Sequence, residues 1–171
     1  MDLTLILGGI ASGKSAFAET VVTRAGLPRV YLATAQAFDD EMRAKLDRHR
    51  ARRGPDWQTI EDPLDAAARL SEMTPGRIVL LDCATMWLSN HMLADSDVEK
   101  ERARLLSALA QCPAPVVVVS NEIGLSGIAE NALARRFANE QGRLNQSLAE
   151  QASRVTFVAA GLPLALKGPL P

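Results

Sequence analysis

The sequence predicts an α/β fold, a three-layer sandwich with a mainly parallel central sheet, and three observations carry that reading. Short apolar runs alternate with longer segments of helical spacing along the chain. The runs are apolar at every position rather than every second one, as strands covered on both faces should be. A glycine-rich turn joins the first run to the first helix.

The elements follow in order. Leu3–Leu7 (LTLIL) reads as a buried strand, and the helix from Lys14 to about Ala25 places Phe17 and Val21 on one face until Gly26-Leu27-Pro28 ends it. Val30–Ala33 is a second strand. Asp39-Asp40-Glu41 opens a helix reaching about Arg53, its acidic start suited to the helix dipole, and Gly54-Pro55 stops it. A short helix spans Leu64–Met73. Ile78–Leu81, ending in Asp82, is a third strand, followed by helices near Thr85–Leu93 and Val98–Gln111. Val116–Val119 is a fourth strand between prolines and another helix, Asn131 to about Ala152 is the longest helix, and Val155–Ala159 is a fifth strand. Repeats and low-complexity tracts are absent, so one domain spanning residues 1–171 is expected.

Composition narrows the function classes. A chain of 171 residues has room for one core that stands without disulfides or structural metal. A net charge of -1 argues against a nucleic-acid partner or a polybasic membrane surface, so an anionic ligand must be held by a local site. Cys83 and Cys112 lack metal-binding spacing and read as buried thiols of a reducing compartment. No apolar stretch is long enough to span a bilayer, and a cytoplasmic location is expected.

The turn itself reads GGIASGKS, from Gly8 through Gly9, Ile10, Ala11, Ser12, Gly13 and Lys14 to Ser15, a full match to the phosphate-binding pattern GxxxxGK[ST]. Glycines let the backbone curl so that successive N–H groups point at phosphate oxygens, and the following helix adds its positive end. Lys14 would reach the β- and γ-phosphates, while the Ser15 hydroxyl and the carboxylate of Asp82 would hold Mg²⁺. Thr85 and Ser89 stand close enough in sequence to line the same cleft. These features establish nucleotide binding, and the fold expected is a P-loop NTPase (RecA-like) three-layer sandwich. They leave motor, switch, small-molecule kinase and nucleotidyltransferase open.

In DDEMRAKLDRHRARR, Met42, Leu46 and His49 share one helix face, so spacing alone reads His49 as a hydrogen-bonded core histidine. The arginines around it alone read as a solvated face. His91, on a later helix, reads as structural. Neither histidine has a partner at metal-binding spacing.

GGIASGKS, YLATAQAFDDEM, RHRARR, LLDCATMWLSN, VVSNEIG, ENALARRFANEQGRLNQ and VAAGLPLALK occur in that order. Together, from about Leu5 to Lys167, they resemble the bifunctional adenosylcobinamide kinase/adenosylcobinamide-phosphate guanylyltransferases of cobalamin biosynthesis. The resemblance implies nucleotide contacts by Gly8–Ser15, by Ala33, Thr34 and Ala35, by Arg50, Ala51, Arg52 and Arg53, and by Glu61 and Asp82. It also implies that His49 is the guanylylated residue. The implied activity has two parts: ATP or GTP phosphorylates adenosylcobinamide, and His49 then carries GMP from GTP to the resulting phosphate. Lys14 serves both. Glu122, Arg135 and Arg136 either face the corrinoid or are a strand-end carboxylate and a solvated helix face. The resemblance likewise implies a homo-oligomer, in which a cleft shared between subunits would give a corrinoid room that so small a domain lacks.

Overall fold

The computed structural model describes residues 2–36, 54–127 and 131–171. Along them run β1 (Leu3–Gly8), α1 (Lys14–Arg24), β2 (Arg29–Ala33), β3 (Trp57–Glu61), α2 (Ala66–Ser71) and β4 (Ile78–Asp82). Then come α3 (Ala84–Leu93), α4 (Val98–Gln111), β5 (Val116–Asn121), a 3₁₀ turn (Gly124–Ser126), α5 (Ala132–Gln151), β6 (Arg154–Ala159) and β7 (Leu162–Lys167). The strands form one sheet in the order β3-β2-β4-β5-β1-β6-β7. Every pairing is parallel except that of β6 with β7.

The central strands alternate between two apolar layers. Leu5, Leu7, Val30, Leu32, Val79, Leu81, Val116 and Val118 face a core that includes residues of α2, α3, α4 and α5. Ile6, Tyr31, Leu80, Val117 and Val119 face Ala18 and Val22 of α1 on the other side. This is why the runs are apolar throughout, and it makes the three layers predicted. Each fully buried leucine of these strands contributes about 1.5–3 kcal/mol relative to exposure.

The starts of α2, α4 and α5 are closed by side chains. Asp65 accepts from the Ala68 N–H at 3.1 Å, Asp97 from Lys100 at 3.1 Å and Asn131 from Ala134 at 2.7 Å. At the far end of α5, Lys167 donates to the carbonyls of Ala149 and Glu150.

Two strands escaped the sequence reading, which found five. β3 (WQTIE) and β7 (LPLALK) are the sheet edges, each paired on one side only, so neither carries a continuous apolar run. Pro163 in β7 is tolerated because an edge strand leaves one row of N–H groups unpaired. The expected helix over Asp39–Arg53 lies outside the described residues.

Candidate functional site

The site begins where β1 ends. A Cβ on Gly8 would lie 2.6 Å from the carbonyl oxygen of Val158, so only glycine lets β6 pass this close. The chain then curls, with Ser12 N–H donating to the Gly9 carbonyl at 3.3 Å. Gly13 turns into α1 at φ 93°, in the left-handed region glycine favours, and no side chain caps the helix there. The first N–H groups of α1 therefore keep no side-chain partner at the cap and point toward the loop, the arrangement that binds anions.

The loop is braced from outside. Gly161, in the turn between β6 and β7, donates its N–H to the Ser12 carbonyl at 2.8 Å. A side chain on Gly13 would press within 3.1 Å of the Gly161 Cα. Inside the curl, Lys14 is only 8% exposed and donates Nζ to the Gly9 carbonyl at 3.0 Å. The Ser12 hydroxyl is buried without a hydrogen-bond partner among the described residues. A buried hydroxyl without a protein partner beside a folded-in lysine is a pair of donors suited to phosphate oxygens.

Sheet register brings the remaining positions to the same edge. Ala33 is paired with Glu61 on one side and Asp82 on the other, while Gly8 is paired with Asn121 and Val158. Gly8–Ser15, Ala33–Ala35, Glu61 and Asp82 thus stand together at the carboxyl ends of the parallel strands, where open α/β sheets bind ligands. Only β5 separates the phosphate loop of β1 from Asp82 of β4.

Asp82 is held in place. Tyr31 donates its hydroxyl to Oδ2 at 3.1 Å. Thr34 is fully buried, and its hydroxyl both donates to the Cys83 carbonyl at 2.7 Å and accepts from the Cys83 N–H at 2.9 Å. The Thr34 carbonyl accepts from Asn90 Nδ2 at 2.8 Å. Thr34 therefore acts as a buttress under Asp82. Burial, with the neighbouring Asp82 charge, pushes the Cys83 thiol up to about 12, so it stays neutral.

Behind the tip of β5 lies a buried polar network. Thr85 accepts from the Asn121 N–H at 2.8 Å, and Asn145 donates to the Asn121 carbonyl at 3.0 Å. Ser120 donates to Asn145 at 2.6 Å and accepts from Gln141 at 2.9 Å. Thr85 is thus a support of the β5 tip. The network was missed in the sequence, although Gln141 and Asn145 sit four apart on one face of an amphipathic helix. Tyr31, Asn90 and Gly161 were missed too, because their partners are distant in sequence.

The other expectations divide plainly. His49, Arg50, Ala51, Arg52 and Arg53 lie outside the described residues. His91 is structural as read: Nδ1 meets the Ser96 hydroxyl at 3.1 Å and Nε2 the Leu64 carbonyl at 3.0 Å. A neutral ring protonated on Nε2 satisfies both. Cys83 and Cys112 are free and buried. Among the described residues no helix is long and apolar enough to cross a membrane.

A mainly parallel sheet, a glycine-built phosphate cradle at its carboxyl edge and a lysine folded into that cradle define a P-loop α/β enzyme that works on nucleotides. Solved structures agree on the fold: the RadB recombinase aligns at TM-score 0.54 and 16% identity, over 91% of this chain and 73% of that one. The flagellar accessory protein FlaH of Methanocaldococcus jannaschii aligns at 0.53 and 11%, over 97% and 78%. The family model of cobinamide kinase / cobinamide phosphate guanyltransferase matches residues 4–166, and the chain belongs to that family. It is 48% identical to the bifunctional adenosylcobalamin biosynthesis protein CobP of Pseudomonas aeruginosa, over 96% of each chain. To CobU of Salmonella typhimurium it is 37% identical, over 96% of this chain and 99% of that one.

Proposed function

We propose that this enzyme phosphorylates adenosylcobinamide with ATP or GTP and then transfers GMP from GTP, through His49, to adenosylcobinamide phosphate. The observation that carries the reading is the cradle of Gly8–Ser15 closed on itself by Lys14, in a chain of this family.

In the first reaction the backbone N–H groups of the cradle and the Lys14 ammonium hold the β- and γ-phosphates and offset the charge that builds up as the phosphoryl group leaves. The residues suit a hard cation. Ser15 and Asp82 offer oxygen donors, the ligand type such an ion takes. Mg²⁺ held there would supply further neutralisation of phosphate charge. Tyr31 and Thr34 keep Asp82 aimed; Ala33, Thr34, Ala35 and Glu61 are assigned to the nucleotide at this edge.

In the second reaction the neutral imidazole of His49 attacks the α-phosphorus of GTP, pyrophosphate leaves, and the substrate phosphate takes GMP from the histidine. Arg50, Ala51, Arg52 and Arg53 are assigned to the nucleotide beside it. A neutral attacker avoids the repulsion that two anions would suffer, which is the physical reason for a covalent carrier. One domain carries both reactions, in the cytoplasm.

A homo-oligomer is part of the proposal. Leu162, Leu164 and Leu166 of edge strand β7 are 72%, 61% and 57% exposed, a row of apolar surface that a subunit contact would cover.

The test is to incubate the protein with Mg²⁺ and GTP labelled at the α-phosphorus, denature it, and measure label on the chain. Acid-labile, base-stable label is expected, absent from His49→Ala, while that variant still phosphorylates adenosylcobinamide. No label on a wild type that binds GTP would leave a kinase without guanylyl transfer, and label persisting in the variant would move the carrier to another residue.

A further inference from the structure

The tip of β5 is the part of the edge with no role in either reaction so far. Strand order places it between the phosphate loop on β1 and Asp82 on β4, at the carboxyl edge where open α/β sheets bind ligands. The first residue past β5 is Glu122. Its N–H donates to the carbonyl of Gly8 at 3.0 Å, which ties it to the first residue of the cradle. One carboxylate oxygen, Oε1, accepts the Gly124 N–H at 2.7 Å, and this fixes the side chain. The other, Oε2, has no hydrogen bond or ion pair among the described residues. The strand beneath is held rigidly: Asn121, its last residue, is gripped through its N–H by Thr85 and through its carbonyl by Asn145. A carboxylate mounted on the cradle, locked by one oxygen and unengaged at the other, has the geometry of a proton acceptor.

We propose that Glu122 is a further catalytic residue of the phosphoryl transfer, with Oε2 accepting the proton of the acceptor hydroxyl. As the hydroxyl oxygen bonds to the γ-phosphorus, the bond from that phosphorus to the β–γ bridging oxygen breaks. Nucleoside diphosphate leaves with the electron pair, and the hydroxyl proton passes to Glu122. The inference rests on the kinase reading above. It adds no role in the guanylyl step, where the attacking imidazole nitrogen carries a lone pair and needs no base.

The test compares the wild type with Glu122→Gln, whose amide oxygen can still accept from Gly124, so the turn is preserved. Phosphorylation of adenosylcobinamide is measured alongside incorporation of label from GTP. Expected is a fall in kcat of about 10²-fold or more for the kinase step. The nucleotide KM and the labelling of the chain should both stay within about threefold of wild type. A kinase kcat within threefold of wild type overturns the proposal. So does an equal fall in both reactions, which would make Glu122 a structural support. A wild type that labels its histidine but phosphorylates nothing overturns the kinase reading instead.

Discussion

An ammonium loses its water when buried, and Lys14 compensates by donating to the carbonyl of Gly9. A bound triphosphate offers the same group charged oxygens, which are the stronger partners. Lys14→Ala should therefore slow both proposed reactions by about 100-fold or more, roughly 2.7 kcal/mol of transition-state stabilisation. Initial rates of phosphorylation and of chain labelling measure this, and unchanged rates in both would remove Lys14 from the phosphate site. Its identity was legible because the cradle is local: glycine freedom, a helix start and a lysine all lie within Gly8–Ser15. The part played by Thr34 was not. Its hydroxyl bonds to Cys83, forty-nine positions away, and only the pairing of Ala33 with Asp82 makes them neighbours.

At the scale of elements, the turn from β3 into α2 depends on Asp62. Its carboxylate accepts from the N–H groups of Leu64 at 3.2 Å and Asp65 at 2.7 Å, and from Arg69 at 3.0 Å. Burial alone would raise its pKa, but the two backbone bonds and Arg69 together outweigh it and leave the group below its ordinary value. A folded-state pKa below the unfolded one stabilises the protein above the unfolded value, about 3.9, and the contribution fades as pH falls through the folded pKa. Asp62→Asn should thus be less stable than wild type at pH 7, with the difference shrinking below about pH 4. Denaturant melts at the two pH values check it; a pH-independent difference would deny the carboxylate this role. The edge strands show why element reading stopped at five. Periodicity reports burial, and β3 and β7 bury too little to display one.

The whole molecule leaves one apolar surface uncovered among the described strands, the leucine row of β7 beside the turn that braces the cradle. If that row is the subunit contact, sedimentation should give a multiple of 18.4 kDa for the wild type and the chain mass for a folded Leu164→Asp. A monomeric wild type would remove the homo-oligomer from the proposal; an oligomeric variant would move the contact elsewhere. The sequence by itself determined the class of fold, the phosphate loop and the family, because buried parallel strands and a phosphate cradle are both written in contiguous residues. Tertiary structure alone decided the strand order, the grip of Tyr31 and Thr34 around Asp82, the brace from Gly161 and the mounting of Glu122 on Gly8. The physical reason is that each of these is a contact between the ends of different strands. Which ends meet is set by how the sheet is ordered, and no local spacing in the chain records that order.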